Sequence, residues 1–217
     1  DLPTIVRFPE DRSLGRLALI DRKLSREQLK AAIERKDRSR WEEYKAKGLI
    51  TIPSEKKVAI TFLDKIAIEQ EIPVDLSPLN QLQPTDLWSL GIPFSKVSAE
   101  QIAHLKQHKG LQILAISNEA SLLEGAFARL GELKWLQVLQ LGDSNVTDAD
   151  LRHLESLINL EELDLSSTKI TGHGLKHLAR LPKLRELDLT NSHVTAEGLK
   201  SLEQLEHLEV LGLGMNE

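Results

Sequence analysis

Hydrophobic residues in the second half of this chain recur in a fixed frame, with leucine or isoleucine at the first, fourth and sixth positions of a short segment. The segments start at Leu87, Leu111, Leu136, Leu160, Leu184 and Leu208, each 24 residues after the last except that Leu136 follows Leu111 by 25. The cleanest copies are Leu160-Glu-Glu-Leu163-Asp-Leu165 and Leu184-Arg-Glu-Leu187-Asp-Leu189. Each continues with a hydroxyl at the ninth position (Thr168, Ser192), then Ile170-Thr171 or Val194-Thr195, then leucines three residues apart: Leu175, Leu178, Leu181 and Leu199, Leu202, Leu205. A degenerate seventh copy starts at Leu63, with Ile66 and Ile68.

The frame predicts a short strand whose fourth and sixth residues share one buried face, with the first leucine turning in at its entrance. Leucines at every third position then predict a return helix, opened by Thr147, Thr171 or Thr195 as N-caps, and Ser98 with Gln101 has the spacing of a capping box. Such a unit cannot bury its apolar faces alone, so neighbours must stack. Strands stack ~4.8 Å apart and helices ~8 to 10 Å apart, which bends the stack with strands inside and helices outside. The fold class is therefore α/β, a right-handed solenoid with a curved parallel sheet.

These residues resemble the leucine-rich-repeat family, in particular its 24-residue ribonuclease-inhibitor-like and cysteine-containing subclasses found in bacterial proteins. The resemblance covers 87–217 and implies a protein-binding scaffold. One departure is visible. Where that family carries Asn or Cys at the ninth position, this chain has Ser95, Ser144, Thr168 and Ser192, with Asn216 only in the last copy. A hydroxyl can make part of the same bonding ladder. The Leu111 copy has Glu119 there and one extra residue, which predicts an irregular loop.

Residues 1–62 do not fit the frame. Thr4 to Phe8 and Leu14 to Ile20 read as strands around Pro9-Glu10-Asp11, and Ser25 to about Lys47 reads as a helix closed by Gly48. Leu49 to Ile52 and Lys57 to Phe62 read as a hairpin across Pro53-Ser54, its inward face Val58, Ile60 and Phe62. This small mixed α/β unit is expected to cap the solenoid of 63–217, because terminal repeats otherwise expose their interior. Phe8 to Gly15 and Asp75 to Leu79 resemble the leader of certain bacterial leucine-rich-repeat proteins. No polar closing helix follows the last frame, so the chain reads as a piece of a longer protein or as an end covered by another chain.

Charge changes this picture. Residues 1–60 carry 15 Lys/Arg against 10 Asp/Glu, whereas 61–217 carry 13 against 23. The net charge of -5 disfavours a general nucleic-acid or anionic-membrane binder. With 41% apolar residues, no cysteine and no run long enough to cross a bilayer, the composition is that of a soluble globular protein. It excludes disulfides, thiolate metal sites and a cysteine nucleophile, and leaves the compartment open. Residues 1–30 lack a signal-peptide pattern, so any targeting segment is expected outside these residues.

No phosphate-binding glycine loop, nucleophile elbow or zinc-protease motif occurs, so catalytic residues, cofactor and metal are all assigned as none. His104, His153 and His177 form a row at the eighteenth position, and His173 with His177 has metal-ligand spacing, but outer helices ~8 to 10 Å apart cannot easily share a zinc. The basic stretch Arg22 to Lys47 reads mainly as a solvated helix, with phosphate or acidic-partner contact as the alternative. The inner sheet is the stronger candidate. Its outward positions are Trp88 and Ser89, then Gln112, Ile113 and Ala115, then Gln137, Val138 and Gln140, then Glu161, Glu162 and Asp164, then Arg185, Glu186 and Asp188, then Glu209 and Val210. Glu162 is predicted to face Glu186, and Asp164 to face Asp188, each pair repelling by about 1 kcal/mol in water. A solubilising face explains them; so does a surface for a basic protein partner, and calcium ranks third because strand-borne carboxylates seldom converge on one ion. The expected function is thus a non-enzymatic protein-interaction module, or alternatively a positioning domain of a larger enzyme or receptor.

Overall fold

A computed structural model describes residues 73–216 and, before them, the strands within 4–7, 15–21, 41–45, 49–52 and 56–62, with side chains described from 73 on and at 58–60. Each leucine frame places a strand in one sheet: β6 (Leu87–Gly91), β8 (Ile113–Ala115), β10 (Val138–Gln140), β11 (Glu162–Asp164), β12 (Glu186–Asp188) and β13 (Val210–Gly212). These six run parallel in chain order. The fourth- and sixth-position residues of the copies that start at Leu87 to Leu184, such as Leu139, Leu141, Leu163, Leu165, Leu187 and Leu189, are buried between the sheet and the outer segments, whereas Leu211 in the last copy is partly exposed. The chain forms a leucine-rich-repeat solenoid, and its core is one continuous cluster from Val58 to Val194.

The sheet extends beyond the repeats. β5 (Lys56–Phe62) pairs in parallel with β6, β2 (Gly15–Asp21) pairs antiparallel with β5, and β3 (Trp41–Lys45) forms the far edge. β1 (Thr4–Arg7) and β4 (Leu49–Ile52) form a separate antiparallel pair, and β7 (Lys96–Val97) and β9 (Ser121–Leu122) a separate parallel one. Two expectations are corrected. The strands on either side of Pro53-Ser54 are present but do not form a hairpin, because β4 pairs with β1 and β5 with β2 and β6. The end of the expected basic helix is instead strand β3, whose Trp41 and Tyr44 lie opposite Ile20 and Leu17. Nonlocal pairing overrides helix propensity there. Val58 and Ile60 are buried as expected. The remainder of that helix and the degenerate copy at Leu63 lie outside the described residues; the sheet position beside β6 is filled by β5.

The outer segments depart from regular α-helix. Leu151–Ser156, Leu175–Arg180 and Lys200–Gln204 are 3₁₀ helices, and the α-helical turns α1 (Ala99–His104), α2 (Ala126–Leu130) and α3 (Ala196–Leu199) are short. The leucine spacing explains this: residues three apart eclipse at three residues per turn, whereas an α-helix would rotate the third leucine off the stripe. Caps follow suit. Ser98 accepts from the Gln101 N–H at 3.3 Å and Thr195 from the Gly198 N–H at 3.2 Å, as expected. Gln101 does not close the box; its Oε1 accepts from Leu76 N–H, one repeat back. Thr147 and Thr171 are not caps. Both donate to aspartates, Thr147 to Asp150 and Thr171 to Asp148.

Asp148 ties one repeat to the next. Its carboxylate accepts from the N–H groups of Thr171, Gly172 and Gly174 at 2.8, 3.1 and 2.6 Å, besides the Thr171 hydroxyl. Burial pushes its carboxyl upward, but these donors outweigh that and hold it below the usual carboxylate range. Gly174 is required here, since a Cβ would lie 2.4 Å from the Asp148 carbonyl oxygen.

Every frame leaves the sheet through a left-handed residue at its eighth position: Phe94, Asn118, Asp143, Ser167, Asn191 and Met215, with φ between 53° and 57°. From the Leu136 copy on, the ninth-position side chain then bonds a sixth-position carbonyl, whereas Ser95 Oγ donates to Pro93 O at 3.0 Å. Ser144 Oγ donates to Leu141 O at 2.5 Å and Thr168 Oγ1 to Leu165 O at 2.6 Å. Ser192 Oγ reaches back to Leu165 O at 3.0 Å. Asn216, with two amide hydrogens, bonds both Leu213 O and Leu189 O. The Leu111 copy is irregular as expected, because Glu119 is left-handed as well as Asn118.

Replacing Leu163 or Leu187 with alanine should cost ~2 to 5 kcal/mol each, read from urea midpoints, as for other emptied leucine sites. Asp148→Ala should cost about 0.5 to 2 kcal/mol and Asp148→Asn less, since the amide keeps one acceptor oxygen. His108 adds a pH dependence. It is buried, and burial holds its imidazole below the ordinary value against the pull of the Gln83 carbonyl and Asp86. The folded state therefore binds fewer protons than the unfolded chain, so stability is full above about pH 6.5 and declines as pH falls below it. His108→Gln should flatten that decline in melts between about pH 7 and 5.

Candidate inner-face site

The inner face takes its character from the strand positions that alternate with the buried leucines. In register across the sheet stand Ile113, Val138, Glu162, Glu186 and Val210, and two residues further on Ala115, Gln140, Asp164, Asp188 and Gly212. Glu162 and Glu186 are thus direct partners, as are Asp164 and Asp188. A shallow depression of about 310 Å³ runs over both rows from Val138 to Gly212, with Leu163, Leu187 and Leu211 on its floor.

The aspartates also hold the fold. Asp164 Oδ1 accepts from Ser166 N–H at 2.9 Å and from its hydroxyl at 2.6 Å, and Asp188 Oδ1 accepts from Thr190 N–H at 2.8 Å. These are Asx turns that close the strand ends. The two carboxylates lean apart. Asp164 lies over Gly142 of the preceding repeat, where a Cβ would come within 2.9 Å of it, and Asp188 lies over Gly212 of the following one, within 2.5 Å. Glycine on either side lets each charge move away from its partner, so direct repulsion is smaller than the bare strand spacing implies.

The other predicted face residues divide. Gln112, Ile113, Gln137, Glu161, Glu162 and Glu186 are half-buried, and Gln140, Arg185, Asp188 and Glu209 are exposed. Arg185 pairs with Glu209 at 2.7 Å, a mostly exposed contact of little energetic weight. Trp88 does not belong to an accessible surface. It is only 2% exposed, with its indole N–H bonded to Gln112 Oε1 at 3.0 Å, and Val138 is also covered, at 5%. The accessible apolar residues are Ile113 at one end and Val210, 55% exposed, at the other. The frame places Val210 on this face, opposite Glu186.

The histidine row is structural. His177 Nδ1 meets Glu155 Oε1 at 2.5 Å, and Arg180 meets the other oxygen at 3.0 Å. The His177 bond, opposed by slight burial and helped by Arg180, holds the Glu155 carboxyl below its usual range. His104 bonds Asn80, and His173 bonds Thr171 instead of turning to His177. Among the described residues no three His, Asp or Glu side chains come together as metal ligands, and no helix is long and apolar enough to cross a membrane.

The architecture is that of leucine-rich-repeat proteins, and the comparisons agree. The family profile "Leucine rich repeat" matches residues 135–194. Among solved structures, an internalin (InlF) from Listeria monocytogenes is similar at 23% identity and TM-score 0.53, over 68% of this chain and 39% of its own. The Leptospira interrogans leucine-rich-repeat protein LIC12759 is similar at 29% identity and TM-score 0.52, over 67% of this chain and 35% of its own. The chain thus spans little more than a third of the length of either. No curated protein sequence matches significantly. The resemblance to the cysteine-containing subclass is overturned: the chain has no cysteine, and hydroxyls with one asparagine occupy the ladder position.

Changing Glu162 and Glu186 to Gln and Asp164 and Asp188 to Asn should leave the melting temperature unchanged or slightly higher, since the Asx acceptors survive while charge is removed. Asp164→Ala with Asp188→Ala should instead lower stability by about 0.5 to 1.5 kcal/mol per lost hydrogen bond.

Proposed function

We propose that this chain is a non-enzymatic protein-interaction module whose inner sheet face binds a basic protein partner. The observation that carries the reading is the in-register pairing of Glu162 with Glu186 and Asp164 with Asp188 over the depression between β10 and β13. Burial of the leucine core needs none of the four charges, because amides would serve the same turns. Like charges on adjacent strands form a surface complementary to an opposite charge that arrives with a partner. The face residues Gln112, Gln137, Gln140, Glu161, Arg185 and Glu209 form its polar border in this reading, and residues 1–62 cap the solenoid through β5.

A second reading has the chain positioning a catalytic or receptor domain elsewhere in a longer protein. The similar structures are longer, and the chain spans 35 to 39% of them.

Baits of the wild-type chain and of the four-fold amide variant, exposed to lysate of the source organism at low and moderate salt, separate a functional face from a solubilising one. Proteins retained through basic segments should be lost both with the variant and with added salt. Identical partner sets with identical salt sensitivity would rule out the acidic face.

A further inference from the structure

The outer layer has one break in its leucine frame. The residue that closes each outer segment, with its N–H bonded to the carbonyl three residues back, is Leu133, Leu157, Leu181 and Leu205 in four successive copies, and His108 in the Leu87 copy before them. His108 is fully buried, as are Leu133, Leu157 and Leu181. Leucine serves the core at this position in the four later copies, so packing does not call for an imidazole. We propose that His108 is a proton-operated latch: when its ring takes up a proton, segment 76–86 lets go of the first repeat while the later repeats stay folded.

Segment 76–86 precedes β6 and contains the 3₁₀ helix Ser77–Gln81. It buries Leu76, Leu79 and Leu82. Its polar ties to the first repeat include Leu76 N–H to Gln101 Oε1 at 2.7 Å, Gln107 Nε2 to Asn80 Oδ1 at 2.8 Å and Gly110 N–H to Pro84 O at 2.9 Å. Opening would uncover the three leucines at the edge of the first repeat.

Gln107 couples the ring to the segment. Its amide nitrogen donates to Asn80 Oδ1 and also stands 3.4 Å from His108 Nε2, which accepts in the neutral ring. A proton taken up by the ring lands on that nitrogen. Two donors then face each other, and Gln107 relieves the conflict by turning its carbonyl to the imidazolium, which withdraws its hydrogen from Asn80. The other ring nitrogen gives no relief, because Nδ1 is buried with no hydrogen-bond partner among the described residues.

Two titratable groups act on the ring, Asp86 from the turn before β6 and His104 from α1; the first favours its charge and the second opposes it. Asp86 Oδ2 accepts from Gln83 N–H at 3.0 Å inside the same segment. Burial outweighs the pull of Asp86 and keeps the closed ring neutral near pH 7. Once the segment opens, the ring meets water and binds its proton at the ordinary pKa of about 6.5, so the open state holds more protons and acid favours it. His104 is not the sensor. Its Nδ1 lies 3.0 Å from Asn80 Nδ2 and 3.2 Å from Asn80 Oδ1, so it can accept from the one or donate to the other. The Asp148 tie between later repeats titrates only in stronger acid, because its carboxyl is held below the usual carboxylate range.

Hydrogen–deuterium exchange of the full chain, read by mass spectrometry at about pH 7 and about pH 5 with intrinsic rates divided out, tests the latch. Protection within 76–86 should fall at least about threefold, toward a ceiling of about 25-fold for one group with an open-state pKa of about 6.5, while protection within 136–194 stays unchanged. His108→Leu, which restores the frame, should remove the effect; His108→Gln, neutral and polar, should do the same should leucine disturb the packing. His104→Gln should retain it. Unchanged protection of 76–86 in the wild-type chain overturns the latch, and so does an equal fall in 76–86 and 136–194, which reports global unfolding. A fall that persists in His108→Leu and His108→Gln, or one that vanishes in His104→Gln, assigns the sensor to another group and overturns it as well.

Discussion

At the end of every inner strand the chain must leave the sheet within two residues without abandoning the carbonyl it has just turned away. A left-handed residue at the eighth position makes the exit in every copy, and from the Leu136 copy on a hydroxyl or amide at the ninth bonds a sixth-position carbonyl. Because the same exit recurs in every copy, neighbouring strands enter and leave in phase, and the leucines of one repeat meet those of the next. A single-donor hydroxyl bonds one carbonyl; Asn216 bonds two and so stitches adjacent repeats. The hydroxyl ladder is therefore the looser version of that stitch, and Asp148, holding three N–H groups of the following repeat, supplies a cross-tie where the ladder is thin.

What could be read in the sequence was whatever repetition made redundant. Leucines at fixed offsets predict the register of β10 to β13, and with it the pairing of Glu162 with Glu186, because a shift of one residue would expose every leucine. Local choices were harder. Thr147 and Thr171 look like caps, but in each case an aspartate, Asp150 or Asp148, takes the threonine hydroxyl as a donor, a contest that spacing does not reveal. Trp88 looks exposed by the frame, yet it is covered and its indole N–H is engaged by Gln112. Trp41 to Lys45 carries helix-compatible residues and is a strand because β2 lies beside it.

The outer 3₁₀ segments bear on shape as well as on leucine packing. A tighter helix is thinner, so repeats separated by 3₁₀ turns diverge less on the outside than repeats separated by full α-helices. The inner face is correspondingly more open, with side chains of successive strands closer to parallel. That openness matters for a surface whose charges stand in rows: the aspartates can lean onto Gly142 and Gly212, and a long partner segment can lie over several strands at once.

The Leu111 copy shows where this architecture accepts change. Its extra residue is taken up by two consecutive left-handed residues, Asn118 and Glu119, both exposed, while Ile113 and Val138 stay in register on the strands either side. The additional length is discharged at the rim and never reaches the core. A loop grafted between Asn118 and Glu119 would therefore project from the rim as an appendage, leaving the phase of the repeats on both sides intact.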